Sequence, residues 1–249
     1  MKDWKEAIKQ EPCFNGWARD IEDVQKREDE RKQYVANAIQ NGKFTAEEGL
    51  CFFLQEMSDF GYRESFSLFE NYANEISPKK VYEATHDYKL GYYVVEFVKF
   101  FGDRLDKEGT LDPNELFLDY IYGERACTLS DECKNECPIS VLSVCSKFDA
   151  NAATIKLYEA LKECGEEDKF WNEILEELMC VVTDFTFLAP MLKKAVLTGD
   201  EFKLTQFGKL VKKGAIPMQE AKELVERLKK ENPQCYEDLI EGGYADFDF

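Results

Sequence analysis

Histidine is almost missing: His86 is the only one in 249 residues. That scarcity excludes the metal sites and phosphohydrolase motifs that need several imidazoles, and the His86-Asp87 pair reads as a helix surface rather than a catalytic element. No run of eighteen apolar residues occurs, so no membrane span is expected. The stretch Met1-Lys2-Asp3-Trp4-Lys5-Glu6 is charged from its second residue and lacks the apolar core of a secretion signal, so the expected compartment is the cytoplasm. Glycine is not grouped as a phosphate loop requires: Gly199 and Gly208-Lys209 lie too far apart, and neither a dinucleotide fingerprint nor a Gly-x-Ser-x-Gly elbow is present. Nine cysteines offer thiols, but nothing singles one out as the partner of His86. Catalysis and a cofactor are therefore not expected.

Basic residues are also in short supply. Thirty-two Lys and Arg face 50 Asp and Glu, a net charge of −18. The excess is uneven: residues 103–136 carry ten acids against four bases, 162–177 seven against two, and Glu237–Phe249 five against none. Residues 178–236 run the other way, with ten bases and seven acids, and six lysines fall between Lys193 and Lys213. Those lysines read as a solvated face, or else as an internal counterpart to the acidic middle. Phosphate binding needs positive charge, so direct nucleic-acid binding is disfavoured. A basic protein would instead be attracted and steered. The candidate partner-binding residues are Asp112, Asp119, Glu124, Asp131, Glu132, Glu136, Glu166, Glu167, Asp168, Glu173, Glu176 and Glu177.

One phrase recurs three times: Asn41-Gly42-Lys43-Phe44-Thr45-Ala46-Glu47-Glu48, Glu108-Gly109-Thr110-Leu111-Asp112-Pro113-Asn114-Glu115 and Lys213-Gly214-Ala215-Ile216-Pro217-Met218-Gln219-Glu220. Each reads as a helix stop and a helix start: Gly in the left-handed conformation closes one helix, and Thr45 with Glu48, or Asp112 with Glu115, forms a capping box for the next. Pro113 suits a first helical position.

The central copy also carries ligands. Asp106, Glu108, Gly109, Thr110, Leu111, Asp112 and Glu115 match positions three, five, six, seven, eight, nine and twelve of a calcium loop, and over Arg104–Glu115 the chain resembles the EF-hand family. The resemblance covers twelve residues and implies a calcium site at Asp106, Glu108, Asp112 and Glu115. It departs at position one, where Arg104 stands. The outer copies place Asn37 and Lys209 at position one, and Ile39 and Val211 at position three. A second candidate metal set is Cys127, Cys133, Cys137 and Cys145, whose gaps of five, three and seven residues differ from the usual two-to-four spacing of zinc ligands. Ser130 can cap a short helix that puts Cys133 and Cys137 on one face, which reads as ordinary reduced thiols.

Helical periodicity dominates the rest. Expected helices run from Trp4 to Gln10, Asp20 to Ile39, Thr45 to about Phe60, Glu64 to Ile76, Lys79 to about Lys89, Asp112 to about Tyr122, Asp149 to Cys164, and Ala215 to Glu231. Another begins at an Asp168 cap. The first half of the Asp20–Ile39 helix is expected to project into solvent. Leu90–Phe101 has strand propensity, but its length and its place before the Gly109 corner favour a buried helix. Val181–Leu188 reads as a helix with an irregular end, a short strand being the runner-up. Asn232-Pro233 breaks the last long helix.

The sequence thus points to an all-α fold, an irregular multi-helix bundle of about ten helices with Gly- and Pro-punctuated corners. It forms one domain over 1–249, or two halves, 1–125 and 126–249. The function it suggests is a non-catalytic acidic protein that occludes a basic partner: an inhibitor, immunity protein or nucleic-acid mimic directed at a nucleic-acid-handling protein or nuclease-type toxin. The alternatives are a divergent EF-hand-like calcium-binding protein and a metal-dependent enzyme using Asp/Glu chemistry.

Overall fold

Charged and aromatic residues divide the work of holding the helices: ion pairs stiffen exposed faces, and rings fill the interior. The computed structural model describes residues 4–15, 21–57, 60–85, 91–102, 104–105, 111–123, 129 and 137–244. Among these every regular element is helical, and fifteen are α-helical segments. The chain resolves into two compact units, Met1–Gly123 and Glu124–Phe249.

In the first unit, α1 (Trp4–Lys9) is pinned by Lys5 and Lys9, whose ammonium groups reach Glu56 at 3.1 and 3.0 Å. A 3-10 turn (Pro12–Phe14) leads to α2 (Ile21–Gln40), which buries only Val35 and Ala38. Ile21 is 86% exposed and Val24 51%, so the start of α2 is solvated as its sparse apolar pattern predicts. Pairs one turn apart stiffen it: Asp23 with Arg27 at 3.3 Å and Glu28 with Lys32 at 2.7 Å. Arg27 and Arg31 also donate to the carbonyls of Asn15 (2.8 Å) and Cys13 (2.6 Å), which ties α2 to the 3-10 turn.

The first recurring corner forms as expected. Gly42 has φ +64°; its N–H donates to Ile39 O at 3.0 Å, and the Lys43 N–H donates to Ala38 O at 2.9 Å. Those two bonds satisfy carbonyls that the end of α2 leaves without a helical donor. Thr45 Oγ1 accepts from the Glu48 N–H (3.2 Å), while Glu48 Oε2 accepts from the Thr45 N–H (2.8 Å), and this box opens α3 (Ala46–Glu56). Helix α4 (Tyr62–Leu68) is shorter than the expected Glu64–Ile76 run. Phe69, fully buried at φ −109° and ψ 8°, breaks it, and the chain continues as a 3-10 helix (Glu70–Glu75). Helix α5 (Pro78–Thr85) follows.

Helix α6 (Gly91–Phe101) confirms the helical reading of the aromatic run. Tyr93, Val94, Val95, Phe97, Val98 and Phe101 are all buried, so the helix is apolar most of the way round because it is enclosed. Tyr93, Phe97, Phe100 and Phe101 pack in ring contact with Phe66 of α4. Each such side chain removed from water contributes about 1.5–3 kcal/mol before its ordering entropy is subtracted. Helix α7 (Pro113–Gly123) closes the unit, with Pro113 at its start as expected.

The second unit opens with α8 (Pro138–Leu142) and α9 (Ala150–Glu163), the latter capped by Asp149 Oδ1, which accepts from the Ala152 N–H at 3.0 Å. At its end the Gly165 N–H donates to Lys162 O and the Glu166 N–H to Leu161 O, and the chain turns directly into α10 (Glu167–Lys169). The new helix therefore begins before Asp168. The expected Asp168 cap is corrected: Asp168 lies in the first turn of α10, and Glu166 at the cap position makes no side-chain cap bond. A π turn (Phe170–Ile174) joins α10 to α11 (Leu175–Leu178).

Val181–Leu188 is corrected as well. It is non-helical backbone ending in a 3-10 turn (Thr186–Leu188). Asn151 of α9 explains why: its Oδ1 accepts from the N–H groups of Thr183 (3.0 Å) and Asp184 (3.2 Å), while Asp184 Oδ1 accepts from the Thr186 N–H (2.9 Å). Side-chain acceptors take donors that a helix would have used.

Helices α12 (Ala189–Thr198) and α13 (Glu201–Lys212) divide the expected basic segment at Asp200, whose side chain caps α13. The other outer corner then repeats the first: Gly214 has φ +84°, its N–H reaches Val211 O at 2.9 Å, and the Ala215 N–H reaches Leu210 O at 3.0 Å. Ile216 is fully buried there, as Phe44 is nearly so in the first copy. Helix α14 (Met218–Glu231) ends at Asn232, which does more than break it: its side chain accepts from the Cys235 N–H and starts α15 (Pro233–Glu241), with Pro233 in the first turn.

Candidate binding surface

The best-defined polar arrangement lies where α13 runs beside the Glu167–Leu178 stretch. Lys203 Nζ stands 3.9 Å from Glu167 Oε1, Lys209 Nζ 2.8 Å from Glu176 Oε1, and Lys213 Nζ donates to Met179 O at 2.8 Å. Rising numbers meet rising numbers, so the two segments run in the same direction. Lys209 and Lys213, four apart at the end of α13, share a face, and Lys213 neutralises a helix C-terminus, where a cation is favourable.

Glu167 is the hub of this arrangement. Its Oε1 accepts from the Tyr158 hydroxyl at 3.0 Å and from Trp171 Nε1 at 3.3 Å. Lys203 is also held by Asp200 Oδ2 at 2.9 Å and lies 5.6 Å from the centre of the Trp171 ring. Trp171 is fully buried and Tyr158 nearly so. Burial first, and the neighbouring Glu167 carboxylate second, push the Tyr158 hydroxyl well above its ordinary pKa, so it remains a donor. One carboxylate thus joins α9, the π turn and α13.

The other candidate acids serve different ends. Glu166 pairs with Lys169 at 3.0 Å. Glu177 Oε1 accepts from the Cys137 N–H at 3.1 Å and fixes the start of α8. Asp168, Glu173 and Glu176 are exposed, and Lys209 holds the Glu176 carboxyl below its usual range. In the first unit, Asp119 accepts from the Tyr82 hydroxyl, and Asp112 Oδ1 accepts from both the N–H and the Nδ2 of Asn114, each at 2.9 Å. Glu124, Asp131, Glu132 and Glu136 lie outside the described residues.

Of the calcium-loop candidates, Asp106 and Glu108 lie outside the described residues, while Asp112 and Glu115 are exposed at the start of α7. Arg104, the departure at position one, donates to Ala73 O and to Ile76 O (3.1 Å) and lies over the Phe101 ring. Its guanidinium caps the 3-10 helix that follows α4. Of the cysteine set, Cys127, Cys133 and the Ser130 cap lie outside the described residues. Cys137 and Cys145 are buried. Among the described residues no group of three or more His, Cys, Asp or Glu is placed to hold a metal ion.

The residues that sequence reasoning missed are Tyr158, Trp171, Lys203 and Asn151. Only the basic segment signalled them, since its lysines suggested an internal counterpart to the acids. Charge is divided evenly between the units: residues 1–123 and 124–249 each hold 25 acids and 16 bases, a net −9 apiece. No helix among the described residues is long and apolar enough to cross a membrane. Set beside known proteins, the chain matches no protein-family model, no curated protein and no solved structure.

Proposed function

We propose that this chain is a non-catalytic acidic protein that covers a basic surface of a partner protein, as an inhibitor, immunity protein or nucleic-acid mimic would. The observation that supports this reading is an excess of negative charge that internal pairing leaves intact. Each lysine or arginine joined to a carboxylate removes one charge of each sign, so the ion pairs of the second unit leave its −9 unchanged. Acids such as Glu159, Glu163, Asp168, Glu226, Glu237 and Glu241 remain exposed. A field of this sign attracts cationic surfaces and repels phosphates. The proposed partner is a nuclease-type toxin or another nucleic-acid-handling protein, whose phosphate-binding surface carries the required positive charge.

The test is capture on the immobilised chain from an extract of its native host, at about 50 mM and about 500 mM salt, a range over which screening shortens steeply. A basic protein should be retained at low salt, released at high salt, and displaced by duplex DNA. Retained proteins no more basic than the extract, or retention indifferent to salt and DNA, would overturn the proposal.

A further inference from the structure

No further inference is drawn: the strongest candidate, the exposed apolar start of α2 at Ile21 and Val24, is an unpartnered helix face, and nothing in the structure shows what covers it.

Discussion

Replacing Glu167 should destabilise the second unit far more than its partly exposed carboxylate suggests. Glu167→Ala removes the acceptor of the Trp171 indole N–H, which is fully buried, and of the Tyr158 hydroxyl, which is nearly so. A buried donor left without a partner costs about 1–3 kcal/mol. The indole carries most of the loss because its ring has no route to solvent, whereas the hydroxyl regains part of its bonding from water. The expected loss is about 3 kcal/mol by that reckoning. Glu167→Gln keeps an oxygen acceptor and removes only the charge facing Lys203, so its loss should be about 1 kcal/mol. Urea unfolding followed by Trp171 emission, with Trp4 and Trp17 replaced by Phe, reads both, provided the slope against denaturant is unchanged. Combining Glu167→Ala with Tyr158→Phe separates the two donors, because the double variant should lose less than the sum of the singles. Glu167→Ala within about 0.5 kcal/mol of the parent, the range of ordinary surface changes, would refute the hub.

Other perturbations give independent checks. Thr45→Ala should destabilise the first unit by about 1 kcal/mol through loss of the cap. The Thr45 N–H and hydroxyl hold the Glu48 pKa below its ordinary value, so the stability they provide is present above the unfolded carboxylate pKa and lost as pH falls through the folded one. The gap in unfolding midpoint between parent and variant should therefore narrow between about pH 7 and pH 3 without closing, because the Ala keeps the backbone N–H and the lost Oγ1 cap on the Glu48 N–H does not titrate. Gly49→Ala should be worse than Gly42→Ala: a Cβ at Gly49 meets Phe44 at 2.7 Å and Phe69 at 2.8 Å, whereas one at Gly42 meets nothing within 4 Å and costs only the left-handed backbone. Thermal melts should place the first at about 1–3 kcal/mol and the second at about 1 kcal/mol. Asn151→Ala should free the backbone at Thr183 and Asp184, read as faster amide exchange and protease cutting confined to that segment. Native thiol labelling should modify Cys164 and Cys180 quickly and Cys137 and Cys145 only on unfolding, with Cys51 slow because burial pushes its thiol up to about 11.

The sequence showed its helices most plainly where backbone chemistry was local. Gly42, Thr45, Glu48 and Gly214 do what their types dictate because each bond they make lies within five residues. Leu90–Phe101 was harder, since apolar residues on every side suit a strand or a buried helix equally; length and the following corner decided it correctly. The misreadings have longer-range causes. Val181–Leu188 is held out of a helix by Asn151, some thirty residues earlier. The split at Phe69 comes with complete burial of its ring, a tertiary fact that periodicity does not carry. Helix α15 was legible but unread: Asn232 followed by Pro233 marks a helix start as well as a stop. The candidate acids were read as one surface, yet Glu167 and Glu177 are structural acceptors whose partners stand nine and forty residues away.

That division of labour sharpens what the acidic composition can do. Lys194, Lys209, Lys212 and Lys213 are exposed, so the basic segment keeps a solvated face. Even so, Lys203, Lys209 and Lys213 reach carboxylates or a helix-end carbonyl of the neighbouring stretch, and Lys193 pairs with Glu220. These cations act chiefly on their own chain, and each half-exposed pair adds little to stability in water. Their larger effect is on the shape of the field: positive charge is held close to fixed acids, while Glu159, Glu163, Asp168, Glu226, Glu237 and Glu241 are exposed. A partner recognised through that surplus should respond to the number of exposed acids more than to any one of them. Charge-reversing Glu226, Glu237 and Glu241 together should therefore weaken partner capture and its salt dependence, while leaving the unfolding midpoint in place because all three are exposed and none lies in the first turn of a helix. Retention unchanged by the triple reversal would mean that recognition does not run through charge.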